Sequence, residues 1–478
     1  MWTTYMKAAI GGATDKNARI CIVGAGAAGL SAAWYLRQRG YNYITILEKS
    51  DRPGGKCRSL TVDGVSIELG AALVMPDYRR VLAVAAEVGA AMRPIRGFRA
   101  LRHTVDGVEP RTIRQLVIEN HGFAATAAAA WRYPAEHRRH ASVMNQPGFA
   151  GMGTGSPGGE LSQPFGSWAR DRGMEPLVTL FQLPVTAFGY GDLADLPAGY
   201  VMRYIGPRLF LAMALSPLFV RTEFLAPRRF EDGHGDFFAS MSRGFDLRLN
   251  AHVESVRRGT EVSVVWEERQ ARRTIRRSET FDKLILACPV AATARFLDQS
   301  LEEQRLFEQV RTRPYSVTVC DTEGIPTGLY FLETQSEAGH VIQFWRPSPD
   351  SGACVFYTRP SEGMSAGRIA AGIRDSMGSI YPGAMVGRVL SHSDWNYFPH
   401  VDVEAFKAGF FDDFEALQGS RATWYCGSLP AFESVENVFA YSETMVERLV
   451  AGHTGNEQAN SHLQTTREFA GAALGRFR

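Results

Sequence analysis

Three glycines, Gly24, Gly26 and Gly29, fall in a GxGxxG spacing directly after an apolar run, Ile20 to Val23, and ahead of a segment that reads as helix to about Arg39. In such a turn the first glycine permits the reversal and the second lets the backbone approach a diphosphate. The third lets the helix lie close on the strand, and Ala28 stands in the same first helical turn. The start of the helix adds free N–H groups and the positive end of its dipole, which together suit phosphate. Glu48 closes the second apolar run, YITIL, where a carboxylate can accept from both hydroxyls of an adenosine ribose.

The continuation is more specific. Lys49 and the string Arg52-Pro-Gly54-Gly55-Lys56-Cys57-Arg58 place paired glycines beside basic residues just after the ribose-binding strand. They offer a second set of close backbone amides, which favours the extended dinucleotide FAD over NAD. Val253, in the run HVESV, is a weaker candidate for backbone contact with adenine, and a plain sheet residue is an equal reading. No second GxGxxG follows, so no dedicated nicotinamide site is visible and electrons must come from the substrate itself. They can leave to oxygen, as in an oxidase, or return to the same molecule, as in an isomerase.

The elements that must position these residues are those of an α/β chain (α+β overall). We expect a Rossmann-like FAD-binding domain, a discontinuous substrate domain built on a mixed sheet, and a helical insertion. The expected segments are 18–100, 236–300 and 391–452 for FAD binding, 101–235 for the helical insertion, 301–390 for the substrate sheet and 453–478 for a tail. The last helix should begin near Glu433. With 478 residues, 45% of them hydrophobic, the chain can bury a large core divided among two or three domains.

Charge excludes little except a bulk attraction to nucleic acid or acidic lipid: 52 Lys and Arg stand against 50 Asp and Glu. The six cysteines form no CxxC pair, so neither a disulfide framework nor a metal site is suggested, and a cytoplasmic location is the simplest expectation. The apolar segment Leu209 to Val220 is too short to cross a membrane and reads as core or as a greasy wall beside an apolar substrate. The basic run Arg269 to Ser278 reads as a solvated hairpin, and His137 to His140 as an exposed helix face. A homo-oligomer is left open.

GAGAAGL, Glu48 and RPGGKCRS resemble the flavin amine oxidase superfamily, and ELGAAL (Glu68 to Leu73) and LILACP (Leu284 to Pro289) fit it as well. More narrowly, PVTAFGYGD (Pro184 to Asp192), LPAGYVMRYI, NYFPHV (Asn396 to Val401) and FKAGFF (Phe406 to Phe411) resemble the FAD-dependent polyunsaturated fatty acid double-bond isomerases of bacteria. The resemblance runs in scattered blocks from about residue 18 to about residue 450. It implies that the flavin N5 itself takes a hydride from an allylic carbon and returns it elsewhere, so that no catalytic side chain is assigned. One departure stands out: where the superfamily reads AGE, with its acid near the ribityl chain, this sequence has Cys426-Gly427-Ser428, a hydroxyl without the charge. The segment FESVENVFAYS should still open a helix whose amides around Glu436, Asn437 and Val438 face the flavin O2.

A reaction of this kind asks for a dry, shaped, apolar cavity. Phe188, Tyr190, Trp395, Tyr397 and Phe398 lie in the narrower blocks and could wall it, each being equally able to serve as core. Arg99 or Arg102 lies where the resemblance puts an arginine for a fatty acid carboxylate. The competing expectations are an amine oxidase-like oxidase or desaturase acting on a natural product or amine, and a flavin-binding protein without turnover.

Overall fold

The structure is a computed structural model and describes residues 13–95, 98–104, 107–215, 226–270, 273–332 and 337–452. At its centre is a five-stranded, wholly parallel sheet. Its strand order is Thr423–Tyr425, Lys283–Leu286, Ile20–Val23, Ile44–Leu47 and Asp246–Arg248. The inner strands are continuous apolar runs because both faces are covered. Alternate residues divide between two cores: Ile20, Ile22, Ile44, Ile46 and Ile285 meet the helices Ala27–Gln38 and Val435–Ala451. Cys21, Val23, Leu47, Leu284 and Leu286 meet Val253, Val256 and Trp266 on the other face. The helix that follows the glycine turn thus packs on the last described helix, with Ala28, Leu30 and Ala32 in one core with Val438, Phe439 and Met445.

The second large sheet has seven strands in mixed orientation. In order they are Met385–His400, Arg311–Glu323, Ala353–Thr358, Val341–Arg346, Gly328–Leu332, Phe98–Thr104 and Gly107–Arg111, with only the pairing of Gly328–Leu332 to Phe98–Thr104 parallel. The helix Ala366–Ile380 covers one face through Ile369, Ile373 and Met377, which pack on Cys320, Cys354 and Phe356. The opposite face carries Tyr315, Val317, Phe331, Trp345 and Tyr357.

Three expected boundaries move. Phe98–Thr104 and Gly107–Arg111 are strands of the mixed sheet rather than the start of the helical insertion, whose first helix is Ile113–His121. Met385–His400 belongs to the mixed sheet and not to the nucleotide-binding segment, because its pairing with Arg311–Glu323 continues to His400. The runs 251–258, 262–270 and 273–281 form a separate three-stranded antiparallel sheet, and only Lys283–Leu286 re-enters the parallel one. The basic run lies on two of those strands, whose outer residues are exposed. Of Leu209 to Val220, residues 209–215 are described as part of the helix Pro207–Leu215, and the remainder lies outside the described residues.

His137 and His140 are not on an exposed face: they are 6% and 4% exposed. His137 meets the edge of the Tyr133 ring at 4.9 Å. Burial pushes His137 and His400 down to about 4. A histidine kept neutral in the fold binds a proton more readily once unfolded, so each contributes stability that is complete above its ordinary value of 6.5 and is lost as pH falls toward 4. The melting temperature is therefore expected to be level from pH 8 to about 6.5 and to drop below it, less steeply in His137→Gln. Equal acid slopes in the two proteins would remove His137 from the account.

Candidate functional site

The glycine turn and the second glycine pair form one surface. Gly54 N–H donates to the Ala25 carbonyl at 2.8 Å, and Gly26 and Gly54 are bridged as if in a parallel ladder. Gly24 has φ +106°, and a Cβ there would lie 3.0 Å from the Ala287 carbonyl oxygen. At Gly29 a Cβ would sit 1.9 Å from the Gly24 carbonyl oxygen, so the helix can start there only on glycine. Gly26 is different. Its φ of −78° suits any residue, and the nearest protein atom to a Cβ is the Gly55 Cα at 3.8 Å. Nothing in the protein itself requires glycine at 26, and a bare backbone beside the helix start is what the approach of a pyrophosphate needs.

Glu48 is 6% exposed, and its two oxygens accept from the Ala25 N–H at 2.8 Å and the Ser50 N–H at 2.9 Å. The carboxylate is thus locked between the two loops, with lone pairs left for ribose hydroxyls. Glu48→Ala is expected to weaken FAD binding about 10- to 100-fold, by loss of charge-assisted hydrogen bonds. Titration of apoprotein with FAD measures this, and an unchanged Kd would remove the ribose role. Lys49 and Arg52 are exposed at the rim. Arg58 is partly buried over the Trp395 ring, 5.9 Å from its centroid, with its Nε buried and without a partner. Ala28 is in the helix core, and Val253 lies two residues beyond Ala251, whose N–H donates to the Glu48 carbonyl at 2.8 Å. The room at Gly26, the clamped Glu48 and the unpartnered Arg58 fit FAD.

At the other end, Gly427 has φ +144° and open space around a Cβ position. Beside the Cys426-Gly427-Ser428 string stands a carboxylate that sequence reading missed. A short helix, Ser428–Ala431, ends at Phe432 with φ 93°, and this reversal brings Glu433 back so that Ser428 Oγ donates to its carboxylate at 3.0 Å. Lys56 Nζ lies 2.6 Å from the same carboxylate, tying the PGG loop to the C-terminal segment.

The last helix starts at Val435, not at Glu433, with Ser434 as its N-cap. The expected amides shift accordingly. Asn437 N–H donates to Ser434 Oγ at 3.3 Å and Val438 N–H to the Ser434 carbonyl at 3.0 Å, so the N–H groups of Val435 and Glu436 are the ones the helix leaves free. The Glu436 carboxylate points elsewhere, accepting from the N–H groups of Arg80 and Val81 at the start of the helix Arg79–Glu87.

Between these loops and the mixed sheet lies a narrow cavity of about 80 Å³. Its cofactor side is formed by Lys56, Gly70, Ala71, Glu433, Ser434 and Val435, and its other walls include Phe188, Tyr190, Trp395 and Tyr397. Phe398 stands behind the wall: it is 1% exposed and packs on Tyr190, Tyr200 and Phe432, because its φ of 47° turns it from the alternation of its strand. Arg99 and Arg102 lie in the strand Phe98–Thr104, with side chains outside the described residues.

The cavity is less plainly apolar than expected. Besides Tyr190 and Tyr397 it is lined by Tyr78, Tyr204, Tyr315 and Tyr357, and by Gln343. Tyr315 stacks on Tyr397 at 5.2 Å, and Tyr397 on Tyr190 at 5.9 Å. Burial pushes all six phenols up, so they are neutral hydrogen-bonding groups rather than bases. The missed tyrosines had only a faint signal, since Tyr315 and Tyr357 read as ordinary residues of apolar strands; Gln343, a lone amide inside the run VIQFW, was the clearer one. Cys57 and Cys426 are buried, and burial raises both thiols, Cys426 to about 12, which leaves them inert. Among the described residues no helix is long and apolar enough to cross a membrane, and no group of metal-ligating side chains occurs.

Comparison with known proteins gives one family model, "Flavin containing amine oxidoreductase", matching residues 27–409. Among solved structures, a CLA-producing fatty acid isomerase from P. acnes superposes with a TM-score of 0.77 at 25% identity, covering 91% of this chain and 99% of that one. Curated relatives match over short stretches. The coproporphyrinogen III oxidase of Staphylococcus aureus is 52% identical over 52 residues, 11% of this chain and 11% of that protein. The putrescine oxidase of Kocuria rosea is 40% identical over 80 residues, 17% of this chain and 16% of that protein.

Proposed function

This chain belongs to the flavin containing amine oxidoreductases and is an FAD-dependent enzyme, and from that premise we propose that it shifts a carbon–carbon double bond within an unsaturated, lipid-like substrate such as a fatty acid, without net oxidation. One observation carries the reading. The cavity is walled largely by neutral rings, and its charged lining residues among those described, Lys56 and Glu433, neutralise each other.

When bound, the flavin supplies a hydride acceptor that can give back what it took. The chain's own residues hold and shield. Gly26, Gly54 and Gly55 admit the diphosphate, Glu48 takes the ribose, and the free N–H groups of Val435 and Glu436 offer donors at the pyrimidine end. The ring faces of Tyr190, Tyr315 and Tyr397 lie where positive charge on an allylic carbon would gain from them, and they keep water out. No described lining residue is a free acid or base, which suits a reaction that exchanges no proton with solvent.

The test is anaerobic incubation of the FAD-loaded protein with a panel of polyunsaturated fatty acids and related dienes, some deuterated at the allylic position. A moved double bond with the label retained, in the absence of nicotinamide, is the expected result. Strict oxygen dependence with peroxide release would instead establish an amine oxidase-like oxidase or desaturase.

A further inference from the structure

Resting on the cavity just described as the substrate site, we propose that Gln343 and Tyr357 form its polar end and hold a neutral hydroxyl of the substrate. The two residues are direct cross-strand neighbours, Gln343 opposite Tyr357, so their side chains share one face of the sheet and begin about 5 Å apart. That face is the cavity wall, and both residues line it. Gln343 is 1% and Tyr357 3% exposed. Neither the Gln343 Oε1 nor the Tyr357 hydroxyl has a hydrogen-bond partner, although both are buried. Leaving two such groups unmatched costs on the order of 1–3 kcal/mol each, unless a ligand satisfies them.

The chemistry of the pair selects the ligand. An amide oxygen that needs a donor, beside a phenol that can both give and accept, is complementary to an alcohol, which donates to Gln343 and accepts from Tyr357. The charged group felt most strongly by Tyr357 is the Glu68 carboxylate, engaged by His234 Nδ1 at 2.9 Å and Ser59 Oγ at 2.7 Å. The buried Arg229 guanidinium lies over the Trp345 ring and feels the charge of the same Glu68, so charge here is balanced and the donor and acceptor pattern of the pair is what favours a neutral oxygen. Gln343 lies three strands and Tyr357 two strands from Tyr397, which flanks Lys56, so on strand spacing their backbones stand roughly 14 and 10 Å from that of Tyr397. The substrate is then an unsaturated chain or ring system with an alcohol remote from its reacting carbons.

The experiment uses the FAD-loaded enzyme and three probes: a C18 dienol, its methyl ether and the corresponding dienoic acid. Binding is read from perturbation of the flavin absorbance, which needs no turnover. The wild type is expected to bind the dienol at least about 10-fold more tightly than the ether or the acid. Gln343→Met should lose that preference while leaving the ether's Kd and the flavin content unchanged, which loss of packing alone would not do, and Tyr357→Phe should weaken dienol and ether together with the flavin content unchanged. Equal binding of dienol and ether by the wild type, or a Gln343→Met variant that weakens both alike, would overturn the assignment. So would tightest binding of the acid with loss of that preference in the variants, since it would make the pair a carboxylate site. A dienol preference abolished by Gln343→Met, but with no double-bond shift in any probe, would uphold the polar end and reject isomerisation.

Discussion

Gly26→Val should give a protein that folds, purifies and is colourless. The backbone at 26 has an ordinary φ of −78°, and the nearest protein atom to a Cβ lies 3.8 Å away, so the side chain meets little of the fold. It occupies instead the room above the turn, where the diphosphate must touch the amides. Displacing a closely packed group by a branched side chain costs roughly 1–3 kcal/mol or more, hence a fall in FAD affinity of roughly 5- to 150-fold or more. The contrast is Gly29→Ala, whose Cβ would stand 1.9 Å from the Gly24 carbonyl oxygen. That variant is expected to disturb the fold itself. Circular dichroism, melting temperature and bound-flavin absorbance separate the two cases, and a folded, yellow Gly26→Val protein would refute the cradle.

Glu433→Gln is expected to leave flavin bound and to slow turnover roughly 30-fold. The amide still accepts from Ser428 but no longer neutralises Lys56, whose ammonium is 2.6 Å from the carboxylate and 5.2 Å from the centre of the Tyr397 ring. An unpaired unit charge about 8 Å from a carbon becoming positive opposes it by about 2 kcal/mol at an effective dielectric constant near 20. The double variant Lys56→Met, Glu433→Gln removes both charges and should recover most of the rate. If the double variant were as slow as the single one, Glu433 would matter for its geometry and not for its charge.

The nucleotide half was legible because its requirements are local. A strand, a glycine turn, a helix start and an acid ending the next strand occur in order, and the structure sets them side by side. The meeting of Gly26 with Gly54 was not legible, since nothing in either string specifies the other as partner. The sequence shows a hydroxyl at Ser428 but not the acid that the fold brings beside it. The carboxylate returns from five residues further on, through a reversal at a non-glycine residue, Phe432, that no turn signal announces. The tyrosine wall was hidden for another reason. Strand alternation says which residues share a face, but only the pairing of Arg311–Glu323, Ala353–Thr358 and Val341–Arg346 says that Tyr315, Tyr357 and Gln343 face one cavity.

Because the helix Ala27–Gln38 packs against Val435–Ala451, the first and last described helices depend on each other. During synthesis the glycine turn emerges first, yet Lys56 waits for Glu433 and the pyrimidine-side donors wait for Val435. Flavin capture therefore waits until Glu433 and Val435 have emerged, and a chain stalled ahead of residue 433 would display a dinucleotide fold unable to keep its dye.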